Sequence, residues 1–214
     1  VAVGDAPVVG NTVIDALWWM RKRLDGTELD HLGLPSNRML VLLTCHRRES
    51  QGRPMRRALD AVAEVAAARA DELCVVVPVH PNPVVSEAVR DRLSNIPGVA
   101  LVEPLDYRTM VALLSAGRMV VTDSGGLQEE APALGLPVLV LREKTERPEG
   151  VAAGGVELVG TDPDAIKRGI ERILDSPADA AVGSECSSPY GDGLASARVA
   201  DALMGRRPTQ FRPQ

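Results

Sequence analysis

Six short aliphatic runs, each followed by a stretch that reads as helix or turn-and-helix, constrain this chain more than any single motif does. They fall at 39–44, 73–79, 99–102, 119–122, 137–141 and 156–159. All but the last, which Glu157 interrupts, are continuously apolar at their centres rather than alternating, which marks strands covered on both faces, as in a parallel sheet. Helical segments follow at 54–70, from Pro83 to about 94, at 107–116 and at 163–175, with a short helix opened by Pro148 between the last two runs. Serial strand–helix units predict an α/β fold, a doubly wound, mostly parallel, Rossmann-like sheet with right-handed crossovers. Aromatic residues are only 2% of the chain, so Val, Leu, Ile and Ala must build the core.

The flanks depart from this alternation. Residues 1–9 read as a linker, and Asn11-Thr12 can cap a helix over 12–24 with Val13, Leu17, Met20 and Leu24 on one face. Trp18 and Trp19 adjoin on that helix, so one must leave the apolar stripe, and something else is expected to cover the helix. Residues 26–36 read as a connector. Beyond Pro177 come a Ser/Pro/Gly-rich segment (187–193), a helix over 194–204 and a frayed Arg/Pro/Gln end. Three parts are therefore expected: 1–36 as linker and leading helix, 37–177 as the Rossmann-like domain, and 178–214 as a C-terminal segment.

Several function classes are disfavoured. A net charge of −5 leaves no broad basic face for nucleic acid. No stretch reaches the about 18 apolar residues of a membrane span, and no signal peptide opens the chain. Cys45, Cys74 and Cys186 have no metal-site spacing, and their odd number suits a reducing cytoplasm. Neither a metal site nor a serine-type triad is legible. A start at Val1 rather than Met reads as either a fragment or a processed chain.

The polar residues gather at the carboxyl ends of the predicted strands, where ligands bind in open parallel sheets. His46 and Arg47 follow the first run, His80 the second, Ser124 and Glu130 the fourth, and Arg147 the fifth. In Asp123-Ser124-Gly125-Gly126-Leu127-Gln128-Glu129-Glu130 a strand hands over to a helix through two glycines. Such a junction lets backbone approach a ligand and offers unpaired N–H groups to an anion. Glu129 and Glu130 read as first-turn acids suited to the helix dipole. A carboxylate beside phosphate repels it, so Glu130 suits ribose hydroxyls instead. The plainer alternatives are a tight turn with a dipole-matched helix start, a solvated charged loop at 46–49, a backbone-bonded loop His80, and an Arg147 that covers the sheet edge. Asp123 reads as a turn former, and Tyr107, Met110 and the tryptophan pair as packing.

Together, Thr44-Cys45-His46-Arg47-Arg48-Glu49, Pro78-Val79-His80-Pro81-Asn82, the block from Asp123 to Pro132, and Thr145-Glu146-Arg147-Pro148-Glu149 carry a family likeness. The chain resembles the C-terminal half of the non-hydrolysing UDP-N-acetylglucosamine 2-epimerases, from Gly10-Asn11-Thr12 to Pro189-Tyr190-Gly191-Asp192-Gly193. The resemblance implies one lobe of a two-lobed glycosyltransferase-B type fold. It also implies interconversion of UDP-GlcNAc and UDP-ManNAc by elimination and re-addition of UDP, with no redox cofactor, in a homodimer that makes cell-envelope polysaccharide precursors. By motif match, Ser124, Gly125 and Gly126 hold the diphosphate, Glu130 the ribose and Arg147 the nucleotide side of the cleft. His46 has a catalytic role near sugar and phosphates, and Arg47 and His80 contact a second, regulatory UDP-GlcNAc. Cys45 stands where the family has Gly or Ala, and Leu105 and Met110 where it has Gln and Phe around the uracil. The family's catalytic carboxylates belong to an N-terminal lobe that this sequence lacks, so the helix at 194–204, which crosses to that lobe, is expected to have no partner. Two other readings are a non-catalytic nucleotide-sugar binding or regulatory module, and a glycosyltransferase of the same architecture, which the two motif blocks fit less well.

Overall fold

A computed structural model describes residues 6–177 and 188–212. The strands are β1 (Met39–Thr44), β2 (Leu73–Pro78), β3 (Val99–Val102), β4 (Gly117–Thr122), β5 (Val138–Val140) and β6 (Val156–Leu158). They form one sheet in the order β3-β2-β1-β4-β5-β6, every neighbouring pair parallel. This is the Rossmann-like doubly wound order. Winding reverses between β1 and β4, and the loops leaving those two strands diverge there, opening a crevice.

Strand side chains alternate between two apolar layers. Val41, Leu43, Val75, Val77 and Val121 face α2 (Arg53–Ala68), α3 (Pro83–Leu93) and α7 (Pro163–Asp175), meeting Leu59, Val89 and Ile170. Leu42, Val76, Val120 and Val140 face α4 (Tyr107–Ala116) and α5 (Gly125–Ala133), meeting Leu113, Leu114 and Leu127. The largest fully buried side chains are Leu, Ile and Met, as the scarcity of aromatics requires. The remaining helices are α1 (Thr12–Arg21), α6 (Pro148–Ala152) and α8 (Ala195–Leu203).

Element boundaries differ from the sequence expectation by a few residues. β4 starts at Gly117 because a residue pairs there with Leu40 across the β1 ladder, and α1 stops at Arg21. The connector holds a single 3₁₀ turn, Asp30–Leu32. Trp18 and Trp19 do part company. Trp18 packs with Ile14 and Leu17 in a third apolar cluster, whereas Trp19 is 55% exposed under the Arg23 guanidinium, 3.7 Å from the ring centroid.

The C-terminal helix corrects an expectation, since α8 has a partner in α1. The Asp15 carboxylate accepts the backbone N–H groups of Ala195 and Ser196 at 3.1 and 2.6 Å, capping α8 from a neighbouring helix. Arg198 is buried in a bidentate pair with Asp192 at 2.6 Å for each bond. Leu203, at the outer end, stays 83% exposed. Cys186 and Ser187 lie outside the described residues.

Candidate functional site

The crevice is built by two strand ends tied to each other. The hydroxyls of Thr44 and Thr122 bond at 2.6 Å across β1 and β4, and Thr122 Oγ1 accepts the Ser124 N–H at 2.9 Å. Asp123 is fully buried. Its carboxylate does not serve its own turn but reaches across to the β1 loop. It accepts the His46 N–H at 2.9 and 3.1 Å and the Arg47 N–H at 2.8 Å. A carboxylate taken out of water needs such donors, and here they fix the loop carrying the imidazole and guanidinium. Burial, followed by the nearby Asp123 charge, pushes the Cys45 thiol up, so this cysteine stays protonated.

Ser124 takes the N-cap position of α5, and its hydroxyl makes no capping bond. The helix opens at Gly125. Glu129 and Glu130 are its fifth and sixth residues, in the second turn, and no acid occupies the first turn. The expectation of two dipole-matched first-turn carboxylates is thus corrected, because the helix starts one residue past the serine and four residues separate the cap from Glu129.

Beside this junction lies a cavity of about 290 Å³, with His46, His80, Leu105, Met110, Ser124 and Glu130 in its wall. The His46 and His80 rings stack with centroids 5.1 Å apart. Glu130 accepts the Tyr107 hydroxyl at 3.2 Å. Burial raises the Glu130 pKa, and the Glu129 charge adds to that. Tyr107 is pushed up to about 12, by burial and then by Glu130. Tyr107 is therefore a polar partner at the site rather than packing, and Met110 both packs on the core and lines the cavity.

The other predicted residues sit around the rim. Arg47 and Arg142 alternate with Glu49 and Glu146 in a closed ionic ring. Arg47 Nη2 donates to Glu146 Oε1 at 2.7 Å, and Arg142 Nη1 to Glu146 Oε2 at 2.6 Å. Glu49 completes the ring at 3.3 Å from Arg47 and 3.7 Å from Arg142. A backbone N–H bond, then Arg142 and Arg47, hold the Glu146 carboxyl down to about 2. Gly125 lies under this ring: a β-carbon on it would be 2.9 Å from Glu146 Oε1 and 3.2 Å from Arg47 Nη2. Gly125, Gly126 and Arg147 are outside the cavity wall. Arg147 Nε bonds the buried Glu129 carboxylate, whose second oxygen accepts Asn11 Nδ2 at 2.5 Å. The Tyr190 hydroxyl accepts the Gly150 N–H at 2.8 Å and donates to the Arg147 carbonyl at 3.3 Å, stapling the same loop.

His46, His80, Ser124 and Glu130 thus share one cavity, whereas Arg47 and Arg147 are engaged with carboxylates at its margin. Asp123, Tyr107, Glu129, Arg142 and Glu146 were given no site role by sequence, although Asp123, Glu129 and Glu146 stand inside quoted motifs. Among the described residues, no cluster of His, Cys, Asp or Glu is arranged to hold a metal. No described helix is long and apolar enough to cross a membrane.

The family model described as UDP-N-acetylglucosamine 2-epimerase matches residues 5–204. The chain belongs to the UDP-N-acetylglucosamine 2-epimerase family. It is 44% identical to the UDP-N-acetylglucosamine 2-epimerase of Salmonella typhimurium over 94% of this chain and 55% of that protein. The Bacillus subtilis epimerase is 42% identical over 92% of this chain and 51% of its own length. Among solved structures, the Neisseria meningitidis UDP-GlcNAc 2-epimerase bound to UDP-GlcNAc superposes with a TM-score of 0.85 at 38% identity, over 93% of this chain and 55% of that one. The S. aureus MnaA–UDP structure gives 0.87 at 34% identity, over 99% and 59%. The glycosyltransferase WaaG, 16% identical with a TM-score of 0.60 over 83% and 50%, shares the fold alone, that of one glycosyltransferase-B type lobe. This chain spans about 55% of the length of the first epimerases it matches.

Proposed function

We propose that this chain is the UDP-binding lobe of a UDP-GlcNAc 2-epimerase, which interconverts UDP-GlcNAc and UDP-ManNAc by eliminating and re-adding UDP. One observation carries the proposal. At the topological switch point a cavity is lined by Glu130, in the second turn of the helix, together with Ser124, the N-cap residue, whose hydroxyl makes no capping bond. The Neisseria relative bound to UDP-GlcNAc and the UDP-bound Staphylococcus structure support the ligand class.

In this assignment Ser124, Gly125 and Gly126 cradle the diphosphate, Glu130 accepts ribose hydroxyls, and Arg147 covers the nucleotide side. Glu130 already accepts one hydroxyl, that of Tyr107, so the ribose replaces or joins it. The leaving UDP gathers negative charge as the glycosidic C–O bond breaks, and oriented amides and guanidiniums stabilise that charge. His46 stands in the same cavity, where its imidazole can hold or move a proton at the departing phosphate. Arg47 and His80 are assigned to a second, regulatory UDP-GlcNAc, and the stacking of His80 on His46 would couple the two ligands. Residues 37–177 form the UDP-binding domain, 1–36 the linker and leading helix, and 178–214 the segment crossing to a second lobe. The working assembly is a cytoplasmic homodimer of two-lobed chains in cell-envelope polysaccharide synthesis. Because the second lobe supplies the catalytic carboxylates, this chain alone binds UDP weakly and does not epimerise.

Titrating UDP into the 214-residue chain tests the assignment, and proton NMR of UDP-GlcNAc incubated with it tests the inactivity. Absence of UDP binding overturns the first, and appearance of UDP-ManNAc overturns the second. A non-catalytic nucleotide-sugar module is favoured by one feature, the apolar Leu105 and Met110 where a base would lie. Turnover by the protein joined to its second lobe decides between the two.

A further inference from the structure

Among the described residues, the guanidiniums around the α5 mouth are already bound to carboxylates: Arg47 and Arg142 to Glu146, and Arg147 to Glu129. The ring of Arg47, Glu49, Arg142 and Glu146 holds two positive and two negative charges, so it offers an approaching anion no net attraction. Glu146 is the acid of that ring next to the mouth, its Oε1 being the nearest atom to the position of a Gly125 β-carbon. Its side chain is 40% exposed and lies in the irregular segment between β5 and α6, where a rotamer change disturbs no helix or strand.

We infer that Glu146 determines specificity at this mouth: it is an internal anion that turns away free inorganic phosphate and yields only to phosphate tethered to a nucleoside. The inference rests on the assignment of Gly125 and Gly126 to the diphosphate. A free phosphate must break the two charge-assisted bonds from Arg47 and Arg142 to Glu146 with only the contacts at the mouth itself to compensate, and no base or ribose to anchor it. A nucleoside diphosphate has its base and ribose held in the cavity beside Glu130. Its phosphates then compete with Glu146 at the high effective concentration of a tethered group. Displacement frees Arg142, and Arg47 while no second ligand holds it, to turn to the new anion, since both already flank Gly125 or its neighbour carboxylate.

The test is calorimetric titration of UDP, and of uridine as a neutral control, into the full chain and its Glu146→Gln and Glu49→Gln variants, with and without inorganic phosphate. Gln keeps the shape of the side chain and removes its charge. Without phosphate, Glu146→Gln should bind UDP about fivefold more tightly, the scale of an exposed ion pair, with uridine unchanged. Added phosphate should compete with UDP in Glu146→Gln and hardly at all in the parent chain. Glu49→Gln, which shares both arginines but is not beside Gly125, should show a smaller effect on each. The UDP gain should shrink as salt rises, because screening weakens the internal pair first. Equal or weaker UDP binding by Glu146→Gln, or phosphate competition equal to that of the parent chain, overturns the inference while leaving the UDP site standing. If no variant binds UDP, the site assignment falls and the inference with it.

Discussion

Replacing Asp123 with Ala removes a buried carboxylate that, beside the Thr44–Thr122 hydroxyl bond, ties the loop after β1 to the end of β4 at the switch point. Asp123 is 0% exposed, and its two oxygens receive the backbone N–H groups of His46 and Arg47. Hydrogen bonds to a charged acceptor contribute about 1.5–3 kcal/mol each, and a buried donor left without a partner costs roughly 1–3 kcal/mol. Two N–H groups lose their acceptor, but the His46 loop is only half-buried and water can reach part of it. We therefore expect a loss of about 2–4 kcal/mol. Asp123→Asn keeps the shape and one good acceptor but turns an NH₂ toward a donor, so it should lose about half as much. Urea denaturation measures both values. Amide hydrogen exchange at His46 and Arg47, together with the imidazole resonances of His46 and His80, reports whether the loop alone has loosened. The sharpest consequence is local: the His46–His80 stack should disperse even in the surviving folded protein. If Asp123→Ala denatures at the same urea concentration as the parent, with unchanged protection at His46 and Arg47, the carboxylate is not the tether and this account of the loop is wrong.

Four further outcomes follow from the same geometry. Glu130→Ala should weaken UDP by roughly 1–3 kcal/mol in a calorimetric titration, and an unchanged affinity would reduce Glu130 to a helix residue hydrogen-bonded to Tyr107. UDP affinity should fall on acidification at a pH above the ordinary Glu value of 4.5, because burial raises the Glu130 pKa and its carboxylate must be ionised to accept hydroxyls; Glu130→Gln should show no such step. The ion ring has the opposite sign in stability: the Glu146 pKa is lowered to about 2, so its contribution is complete above 4.5 and disappears as pH falls toward 2, which acid titration of Glu146→Gln against the parent would reveal. Gly125→Val should abolish phosphate-dependent binding yet leave the circular dichroism and melting temperature nearly unchanged, since the added carbon meets only the movable ends of Glu146 and Arg47.

The sequence by itself determined the sheet. Uninterrupted aliphatic runs such as Leu40–Leu43 and Val75–Val77 can be buried only on both faces, and helical segments between them leave a parallel arrangement as the solution. It also placed His46, His80, Ser124 and Glu130 at strand ends, because a strand's carboxyl end is a local property of the chain. Only the tertiary structure decided the strand order, since which strand lies beside β1 depends on contacts far apart in sequence. That order puts β4 next to β1, and so brings Asp123 to His46 and Glu146 to Arg47 across separations of 77 and 99 residues. The same dependence hid the roles of Tyr107, Glu129 and Asp15, each defined by a partner on another element. Periodicity shows which way a side chain faces; it carries no record of the charge that will meet it there.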